Sequence, residues 1–321
     1  MSAQSLKVVV LAGGISHERE VSLRSGRRVA DALAEAGHQV TIVDPDAHLF
    51  SYLSREQPDV VWPAVHGASG EDGALLELLE ASGTSYVGPV GSSARLAWSK
   101  AVAKTLVARA GVETPDSITL PREAFRELGA AAVLDVVPRK LGHDLVVKPV
   151  HGGSSQGVSL VLSVESLPRA MVDAYTYSDL ALIERRVYGT EVAVTVIDEG
   201  NGPYALPIVE IVPSAGFYSF EARYNAGETT FFTPARLSDS VLDSVAECAV
   251  AVHKTLGLDF ISRIDFIVTE NGVPVFLEAN SLPGLTETSS APLAINASGQ
   301  EASTLFDALV QRASRSVRRD A

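Results

Sequence analysis

A hairpin signal near the C-terminal end determines more of this fold than any other part of the sequence. Two stretches rich in β-branched and aromatic residues, 260–268 and 273–280, flank the pair Asn271-Gly272. An Asn-Gly pair between two such stretches is the strongest local signal for a β-hairpin with a two-residue turn. The sequence therefore predicts a hairpin with Asn271-Gly272 at its tip, and this tip decides which residues face each other.

Four polar side chains are predicted to share one face of this hairpin. The turn places Asp265 opposite Glu278 and Arg263 opposite Asn280, and side chains alternate along each strand. Facing Cβ atoms lie about 5 Å apart, and two carboxylates at that distance repel by roughly 3 kcal/mol, so a cation must lie between them. The alternate residues are expected to face the core: Ser262, Ile264, Phe266, Val275 and Leu277.

The acidic face has the chemistry of a metal site. Carboxylate and amide oxygens are hard ligands, and Mg²⁺ takes one or two carboxylates together with nucleotide phosphates. Asp265, Glu278 and Asn280 are therefore the candidate metal ligands. The alternative is an exposed strand face on which Arg263 bridges two acids. The polar loop 281–289 contains Gly and Pro and follows directly, as expected of a substrate-binding loop, so it favours the metal site.

Length and composition restrict the class of protein. A chain of 321 residues suggests two or three domains, and 46% apolar residues are enough for a large core. The formal net charge of −13 argues against a nucleic-acid or anionic-membrane partner. No apolar stretch approaches the roughly 18 residues that cross a bilayer, and no signal peptide is recognised. We therefore expect a cytoplasmic protein.

The N-terminal region predicts a parallel sheet. The continuous apolar stretch 7–12 is typical of a buried parallel strand, and the strands 39–43 and 60–65 follow it. The first strand ends in the loop Gly13-Gly14, and the third leads into a glycine-rich loop that begins at His66. Ligands bind beyond the carboxyl ends of parallel strands, so both loops are expected to line one crevice. The alternative for His66 is a structural role.

A second glycine-rich segment lies between two predicted strands. Strand 145–149 carries Lys148, the loop 151–157 follows, and the strand 158–162 comes next. A Walker A loop would open a helix and carry G-K-[ST], so this segment is predicted to be a hairpin flap. Backbone N–H groups and Ser hydroxyls of such a flap can fold over phosphates, while Lys148 supplies a point charge.

Taken together, these motifs resemble the ATP-grasp enzymes, and specifically the D-alanine:D-alanine ligase family. The resemblance extends from Leu11 to about Leu293. Its most specific motifs are Arg263-Ile-Asp265, Glu278-Ala-Asn280 with the following Pro283-Gly284, and the string His66-Gly-x-x-Gly-Glu-Asp-Gly73.

This resemblance implies an α/β (α+β) fold with the three-domain ATP-grasp architecture, and ATP bound between the central and C-terminal domains. The expected N-terminal domain, 1–100, contains the parallel sheet and binds substrate. The central domain, 101–189, carries the flap. The C-terminal domain, 190–321, carries the metal ligands, the substrate loop and an aromatic-rich lid at 217–232.

The implied reaction joins two D-alanines to D-alanyl-D-alanine through an acyl phosphate, with ATP giving ADP and phosphate, for peptidoglycan precursor synthesis. Its cofactors are ATP and two Mg²⁺ ions, with Mn²⁺ as an alternative. The expected partners are two molecules of D-alanine and a second copy of the chain in a homodimer. No nucleic acid or membrane is expected to bind.

The resemblance also assigns roles to single residues. Glu18 binds the first substrate's ammonium and His66 lies near that substrate, while Arg263 and the Gly284 backbone stabilise the oxyanion and Ser289 binds the second carboxylate. A hydrogen-bonded set closes the lid: Glu18, Ser154 and Tyr224. The implied catalytic residues are Glu18, Ser154, Tyr224, Arg263 and Gly284. The implied ATP-binding residues are Lys100, Lys148, Ser154, Ser155, Glu184, Arg185, Val187, Glu191 and Arg223.

The chain departs from the family pattern at three places. Arg223 stands where Lys is usual on the lid, the flap begins with His151 in place of Arg, and the substrate loop reads Glu287-Thr-Ser-Ser290. Because the lid offers Tyr224 and no His, we expect a peptide rather than an ester product. Three alternatives are a dipeptide ligase of a biosynthetic or self-resistance pathway, a nucleotide-binding regulatory protein, and a nicotinamide oxidoreductase. The retained metal face disfavours the second, and the absence of G-x-G-x-x-G disfavours the third.

Overall fold

The computed structural model describes residues 4–214, 216–218, 223 and 227–315. Its strands are β1 (Lys7–Leu11), β2 (Gln39–Val43), β3 (Val60–Pro63), β4 (Ser117–Pro121), β5 (Leu145–Pro149), β6 (Ser159–Val161), β7 (Leu180–Arg185), β8 (Thr190–Ile197), β9 (Tyr204–Ala205), β10 (Val209–Pro213), β11 (Thr229–Phe232), β12 (Ile261–Val268) and β13 (Pro274–Asn280). Its helices are α1 (Arg19–Glu35), α2 (Leu49–Glu56), α3 (Ala68–Glu71), α4 (Ala74–Ala81), α5 (Gly91–Trp98), α6 (Lys100–Arg109), α7 (Arg122–Leu141), α8 (Leu167–Ala174), α9 (Asp239–Thr255), α10 (Ser290–Ala297) and α11 (Ala302–Arg315). Among these helices, none is long and apolar enough to cross a membrane.

The first sheet is parallel, in the order β2-β1-β3. Its central strand β1 is covered on both faces, because Val8 and Val10 belong to one core cluster and Val9 and Leu11 to another. A strand buried on both faces needs apolar side chains at every position, which explains its continuous apolar sequence. The predicted parallel sheet is confirmed.

The second sheet is antiparallel, in the order β4-β7-β5-β6. Helices α7 and α8 cover one of its faces and share a core with it. Strands β5 and β6 pair with each other, with Leu145 opposite Val161. The glycine-rich loop between them is therefore the tip of a hairpin, as predicted.

The third sheet is antiparallel, in the order β11-β10-β8-β12-β13, and β9 pairs with β8. Helices α6 and α9 pack on one face of this sheet, around Ile264 and Phe266 of β12. The predicted lid 217–232 was extended too far, because Thr229–Phe232 form β11 and pair with β10. Thr and Phe favour strands, so this local preference agrees with the pairing to β10, but the prediction assigned the four residues to the aromatic-rich loop before them.

The hairpin of β12 and β13 has the predicted facing pairs but a different turn. Arg263 pairs with Asn280 and Asp265 with Glu278, as expected. At the tip, however, the amide of Thr269 donates to the carbonyl of Val273 at 3.0 Å, so three residues form the loop. A left-handed Gly272 (φ +77°) closes it, which is the usual place of Gly in a three-residue hairpin loop.

A β-bulge at Leu277 restores the register of the acidic face. Phe266 pairs with Phe276 and Asp265 with Glu278, so Leu277 is the extra residue in β13. The bulge turns Phe276 into the core and Leu277 into the cleft described below. The prediction that Leu277 faces the core was therefore wrong, because local periodicity does not reveal a bulge.

The C-terminal helices return to the first sheet. Leu305, Phe306 and Leu309 of α11 share a core with Val8 and Trp62, and the rings of Trp62 and Phe306 lie 4.8 Å apart. The three sheets follow one another in sequence order. The domain boundaries proposed from sequence stay predictions.

Candidate active site

A deep cleft lies between the second and third sheets and encloses about 1220 Å³, the open mouth included. It is lined by β5, β7 and the flap on one side and by β12 and β13 on the other. Ten residues expected to bind nucleotide or metal line it: Lys100, Lys148, Ser155, Glu184, Arg185, Val187, Glu191, Arg223, Asp265 and Glu278.

On the acidic face, each of the two carboxylates forms an ion pair with a positively charged side chain. Arg263 forms a two-pronged pair with Asp265, with Nε at 2.8 Å from Oδ1 and an Nη at 2.9 Å from Oδ2. Lys100 Nζ lies 3.1 Å from Glu278 Oε2, and Asn280 Nδ2 lies 3.5 Å from Asp265 Oδ2. Two side-chain cations thus neutralise the two acids, and the metal ions expected from the sequence stay a prediction.

These charges shift the ionisation of the buried groups. Burial acts to raise the pKa of Glu278, but Lys100, Arg223, Lys148 and Arg263 together hold it well below its usual range. Burial likewise opposes the charge of Arg263, yet Asp265 and Glu278 raise the pKa of its guanidinium above the usual value. Glu278 is consequently available as an anionic ligand at neutral pH.

The donor set fits a metal that arrives with a nucleotide. Asp265 and Glu278 offer facing carboxylates, and Asn280 adds an amide on the same face. Within the described ranges, no three His, Cys, Asp or Glu side chains gather into a metal cage. Mg²⁺ sites with one or two carboxylates use phosphate oxygens for the remaining positions, so two carboxylates and an amide are compatible with such a site.

A buried ion triad supports the base of the cleft. Glu184 lies between two lysines, with Lys148 Nζ at 2.7 Å and Lys104 Nζ at 2.8 Å, and all three side chains are less than a tenth exposed. Lys104 also donates to the carbonyl of Phe276 at 3.0 Å. Burial lowers the pKa of Lys104 to about 8 despite the neighbouring Glu184.

Lys104 was missed by the sequence analysis, although a signal exists. Lys100, Ala103, Lys104 and Val107 form the buried stripe of α6. Two lysines on the apolar stripe of a short helix must have buried anionic partners, because an unpaired buried ammonium is too costly.

One end of the cleft is apolar. Val146, Leu160, Val187 and Leu277 line it, together with Ile267. Glu191 at its edge has a pKa raised to about 7, mainly by burial and also by Asp265 and Glu278, while Arg223 opposes the shift. Arg185 lines the same region, but its guanidinium is more than half exposed and lies 3.1 Å from Asp116.

The other end of the cleft is formed by the flap. Ser154 and Ser155 adopt left-handed backbone conformations, with φ of +51° and +56°. Ser155 donates to the carbonyl of Tyr218 at 2.9 Å and accepts from Arg223 Nε at 3.0 Å. The Arg223 guanidinium lies 4.1 Å from the centre of the Tyr218 ring.

The first loop of the chain meets the flap. Ser154 Oγ donates to Glu18 Oε1, joining two of the three residues expected to close the lid. The third, Tyr224, lies outside the described residues. A Cβ on Gly153 would lie 3.1 Å from Glu18 Oε1, so only a glycine lets the flap approach this carboxylate without displacing it.

The substrate loops lie against each other. His66 Nε2 lies 3.0 Å from Ser25 Oγ, which accepts from the amide of Leu285 at 3.0 Å. His66 Nδ1 lies 3.6 Å from Glu71 Oε1, and burial raises the pKa of Glu71 while His66 opposes the shift. His66 thus links the first sheet to the loop after β13. Sequence reasoning named Glu71 only as part of a motif.

Ser289 lies at the start of α10, beside Gly284. Its Oγ accepts from the amide of Thr286 at 3.2 Å, and a Cβ on Gly284 would lie 3.1 Å from that oxygen. Neither Glu18, His66, Gly284 nor Ser289 belongs to the lining of the large cleft. These residues flank the acidic face from the side of the first sheet.

Known proteins resemble this chain over most of its length. Residues 106–311 match the family model described as D-ala D-ala ligase C-terminus. The D-alanine--D-alanine ligase of Anaeromyxobacter dehalogenans (strain 2CP-C) is 41% identical over 89% of this chain and 90% of that protein. The enzyme of the same name from Syntrophotalea carbinolica is 36% identical over 96% of this chain and 95% of that protein.

Solved structures agree with the sequence comparison. The D-Ala:D-Ser ligase of Enterococcus faecalis has a TM-score of 0.81 and 27% identity, and the match covers 97% of this chain and 100% of that one. A D-alanine--D-alanine ligase from Bacillus anthracis complexed with ATP has a TM-score of 0.80 and 26% identity, covering 99% of this chain and 100% of that one. The predicted fold class is confirmed.

Proposed function

This chain belongs to the D-alanine:D-alanine ligase family, and we propose that it joins two D-alanines to D-alanyl-D-alanine while ATP becomes ADP and phosphate. One structural observation supports the assignment of this cleft as the active site. A cleft with Lys100 and Lys148 on one side meets a face with Asp265 and Glu278 on the other. This arrangement suits the transfer of a phosphoryl group, which depends on positioning and charge neutralisation.

The nucleotide is proposed to lie along the cleft. Its adenine fits the apolar end between Val187 and Leu277, and Glu191 is suited to the ribose hydroxyls. Its phosphates lie towards the flap, where Lys100, Lys148 and the hydroxyl of Ser155 are available. Glu184 holds Lys148 in place through the 2.7 Å ion pair, which orients that ammonium before the nucleotide binds.

Two Mg²⁺ ions, or Mn²⁺ in their place, are proposed to bind with the nucleotide. Asp265, Glu278 and Asn280 would hold them, and when bound they neutralise the charge that develops on the transferred phosphoryl group. Arg223 on the lid brings a further positive charge, with Nε already bonded to Ser155.

The amino acids are proposed to bind on the side of the first sheet. Glu18 is suited to the ammonium of the first D-alanine, whose carboxylate becomes the acyl phosphate. Arg263 and the Gly284 backbone would stabilise the oxyanion when the second amine attacks, and Ser289 would bind the second carboxylate. His66 supports this region through Ser25 and Glu71.

The reaction is tested by incubating the purified protein with ATP, Mg²⁺ and D-alanine. One ADP, one phosphate and one dipeptide should form per turnover, as measured by ion-exchange chromatography and mass spectrometry. AMP and pyrophosphate as the main products would contradict the assignment. Adding D-serine and D-lactate as competitors tests the alternative ligases, and we expect D-alanyl-D-alanine to remain the main product at pH 7.

Glu278→Gln tests the metal face in the same assay. Loss of a carboxylate ligand should lower kcat at least about a hundredfold, comparable to losing one strong transition-state contact. Glu127→Gln, the same change at an exposed position of α7, serves as the control. A folded Glu278→Gln protein with full turnover at ordinary Mg²⁺ would refute the metal role.

The setting of this reaction is also proposed. We expect it in the cytoplasm, where it would supply peptidoglycan precursor synthesis, and we expect no nucleic-acid or membrane partner. The protein is proposed to be a homodimer, which light scattering coupled to gel filtration measures directly.

A further inference from the structure

His151 opens the flap and is held at the rim of the cleft by contacts on two sides. Its ring stacks on Trp98 of α5, with centroids 6.4 Å apart and planes 19° from parallel. Its Nδ1 lies 3.4 Å from Ser178 Oγ, in the turn before β7. Among the described residues, Nε2 has no hydrogen-bonding partner, although the side chain lines the cleft.

The surroundings of His151 form the phosphate end of the proposed nucleotide site. Lys100 Nζ donates to the carbonyl of Gly152 at 2.5 Å, and its backbone amide donates to the carbonyl of Val150 at 3.1 Å. Val150 and Gly152, the two neighbours of His151, are thereby hydrogen-bonded to Lys100 at the start of α6. The imidazole stays next to a lysine proposed to bind phosphate.

We propose that His151 is a phosphate-binding residue that takes up a proton when the nucleotide binds. The proposal rests on the nucleotide site proposed above and adds a titratable group to it. Nε2–H would donate to a phosphate oxygen, and the added proton, taken from water, would complete the imidazolium on the second ring nitrogen. Arg at this flap position, the common residue of the family, would supply a permanent charge instead.

Ser178 can hydrogen-bond to the His151 ring in both of its protonation states. Its Oγ accepts from the amide of Leu180 at 3.3 Å, and a hydroxyl can both donate and accept. It therefore donates to Nδ1 when His151 is neutral and accepts from Nδ1–H when the ring is charged. The imidazole does not need to reorient when its charge changes.

Burial and a nearby positive charge disfavour the protonation of His151 before the nucleotide binds. Burial and, to a smaller extent, the charge of Lys100 lower the pKa of His151 below its usual value. Lys100 is the charged group that faces it from α6, while α5 presents Trp98 and the turn before β7 presents Ser178. Bound phosphates reverse this balance because a nearby negative charge favours the imidazolium.

Calorimetric titration of ADP with saturating Mg²⁺ tests the proposal. At pH 7, titrations in buffers of different ionisation enthalpy measure the protons taken up on binding. The wild-type protein should take up a fraction of a proton more than His151→Asn. His48→Asn, the same change at an exposed position far along the chain, should match the wild type. Adenosine, which has no phosphates, should show no difference between the three proteins.

The affinity of the protein for ADP should also depend on the protonation of His151. At pH 6 His151→Asn should bind ADP about tenfold more weakly than the wild type, as expected for one charged hydrogen bond, and at pH 8.5 the two should agree within about twofold. His151→Arg should bind tightly at both pH values without proton uptake. If His151→Asn does not fold, the comparison of His151→Arg with the wild type tests the proposal instead.

Equal proton uptake and equal affinity in wild type and His151→Asn would overturn the proposal while leaving the nucleotide site intact. If the wild type binds no ADP, the proposed function itself fails. These two results are distinct, because the first requires binding and the second excludes it.

Discussion

Lys104 places a positive charge where water does not reach, between Glu184 at 2.8 Å and the carbonyl of Phe276 at 3.0 Å. It thereby ties α6 to β7 and β13, the three elements that carry Lys100, Glu184 and Glu278. A lysine in this position stabilises the shape of the cleft before any ligand binds. Its removal leaves Glu184 with only one of its two lysine partners.

We expect Lys104→Met to lower the free energy of unfolding by about 3 kcal/mol, because breaking a buried ion pair leaves one charge uncompensated. Lys140→Met, at an exposed position of α7, should change it by less than about 0.5 kcal/mol. Urea unfolding followed by circular dichroism measures both. Similar midpoints for the two variants would show that the triad does not stabilise the fold.

Glu191 predicts a pH dependence of stability. Burial raises its pKa from 4.5 to about 7 in the folded protein. Between these values the folded state binds the proton more tightly than the unfolded chain, so the stability that protonated Glu191 contributes is lost as the pH rises. Relative to Glu191→Gln, the nucleotide-free wild type should lose about 2 kcal/mol between pH 4.5 and pH 7.5. Thermal unfolding across this range measures the difference, and a constant difference would contradict the shift.

Single residues differ in how far the sequence could predict them. The faces of Arg263 and Asp265 follow from strand alternation next to a recognisable turn. Lys104 lies on the apolar stripe of α6, so its burial could have been predicted, but its partner Glu184 comes from a distant segment of the chain. Glu71 could not be assigned by residue type, because Glu is mostly exposed and only the assembled core shows that this one is buried.

At the scale of elements, the bulge at Leu277 lets β13 contribute two consecutive side chains, Leu277 and Glu278, to the cleft. If Leu277 were deleted, Glu278 would follow Phe276 directly and would still face Asp265, because Phe266 pairs with Phe276. What the bulge adds is a side chain in the cleft, beside Ile267. The strand thereby presents an apolar side chain and a proposed metal ligand at consecutive positions.

Deletion of Leu277 should therefore give a folded protein that keeps its acidic face. The KM for ATP should rise about tenfold, because an apolar contact of this size contributes about 1–3 kcal/mol, and the KM for D-alanine should stay within about twofold. Leu277→Ala, which keeps the bulge, should raise the KM for ATP by a similar factor. Steady-state kinetics with each substrate varied in turn measures these effects. Loss of all activity only in the deletion variant would show that the bulge positions Glu278.

The hairpin and the flap show where element prediction succeeds and fails. Both were predicted because the two strands that form each of them are consecutive in the sequence, so the local pattern and the strand pairing agree. The three-residue turn and the bulge depart from the prediction by one residue each, and the two departures cancel at Asp265 and Glu278. Strand β11 was missed although its Thr and Phe residues favour a strand, because the prediction joined them to the aromatic-rich lid.

At the scale of the whole molecule, the last helix completes the first sheet. Phe306 of α11 is almost fully buried and contacts Trp62 of β3, in the same core as Val8 and Val10. The pattern along α11 predicts a helix, but no local pattern shows which sheet it covers. This return of the chain was therefore beyond the sequence analysis.

Phe306→Ala should destabilise the protein by about 4 kcal/mol, as expected for a large cavity in a core. Leu128→Ala, at a position that is 63% exposed, should have an effect below about 0.5 kcal/mol. At temperatures where the Phe306→Ala protein remains folded, its KM for ATP should match that of the wild type, because the proposed nucleotide cleft lies between the other two sheets. A large change in KM without loss of stability would contradict this view.

The position of α11 also has a consequence for the order in which the protein is made. A ribosome adds about 5–20 residues per second, so the strands of the first sheet emerge tens of seconds before the helix that covers them. During that interval the apolar face around Val8, Val10 and Trp62 lacks its final cover. The Nε2 of Gln311 finally donates to the carbonyl of Gln4 at 2.7 Å, a contact that can form only after α11 has been made. A nascent chain of this protein therefore exposes part of this apolar face until α11 has emerged, and it is prone to aggregate during that interval.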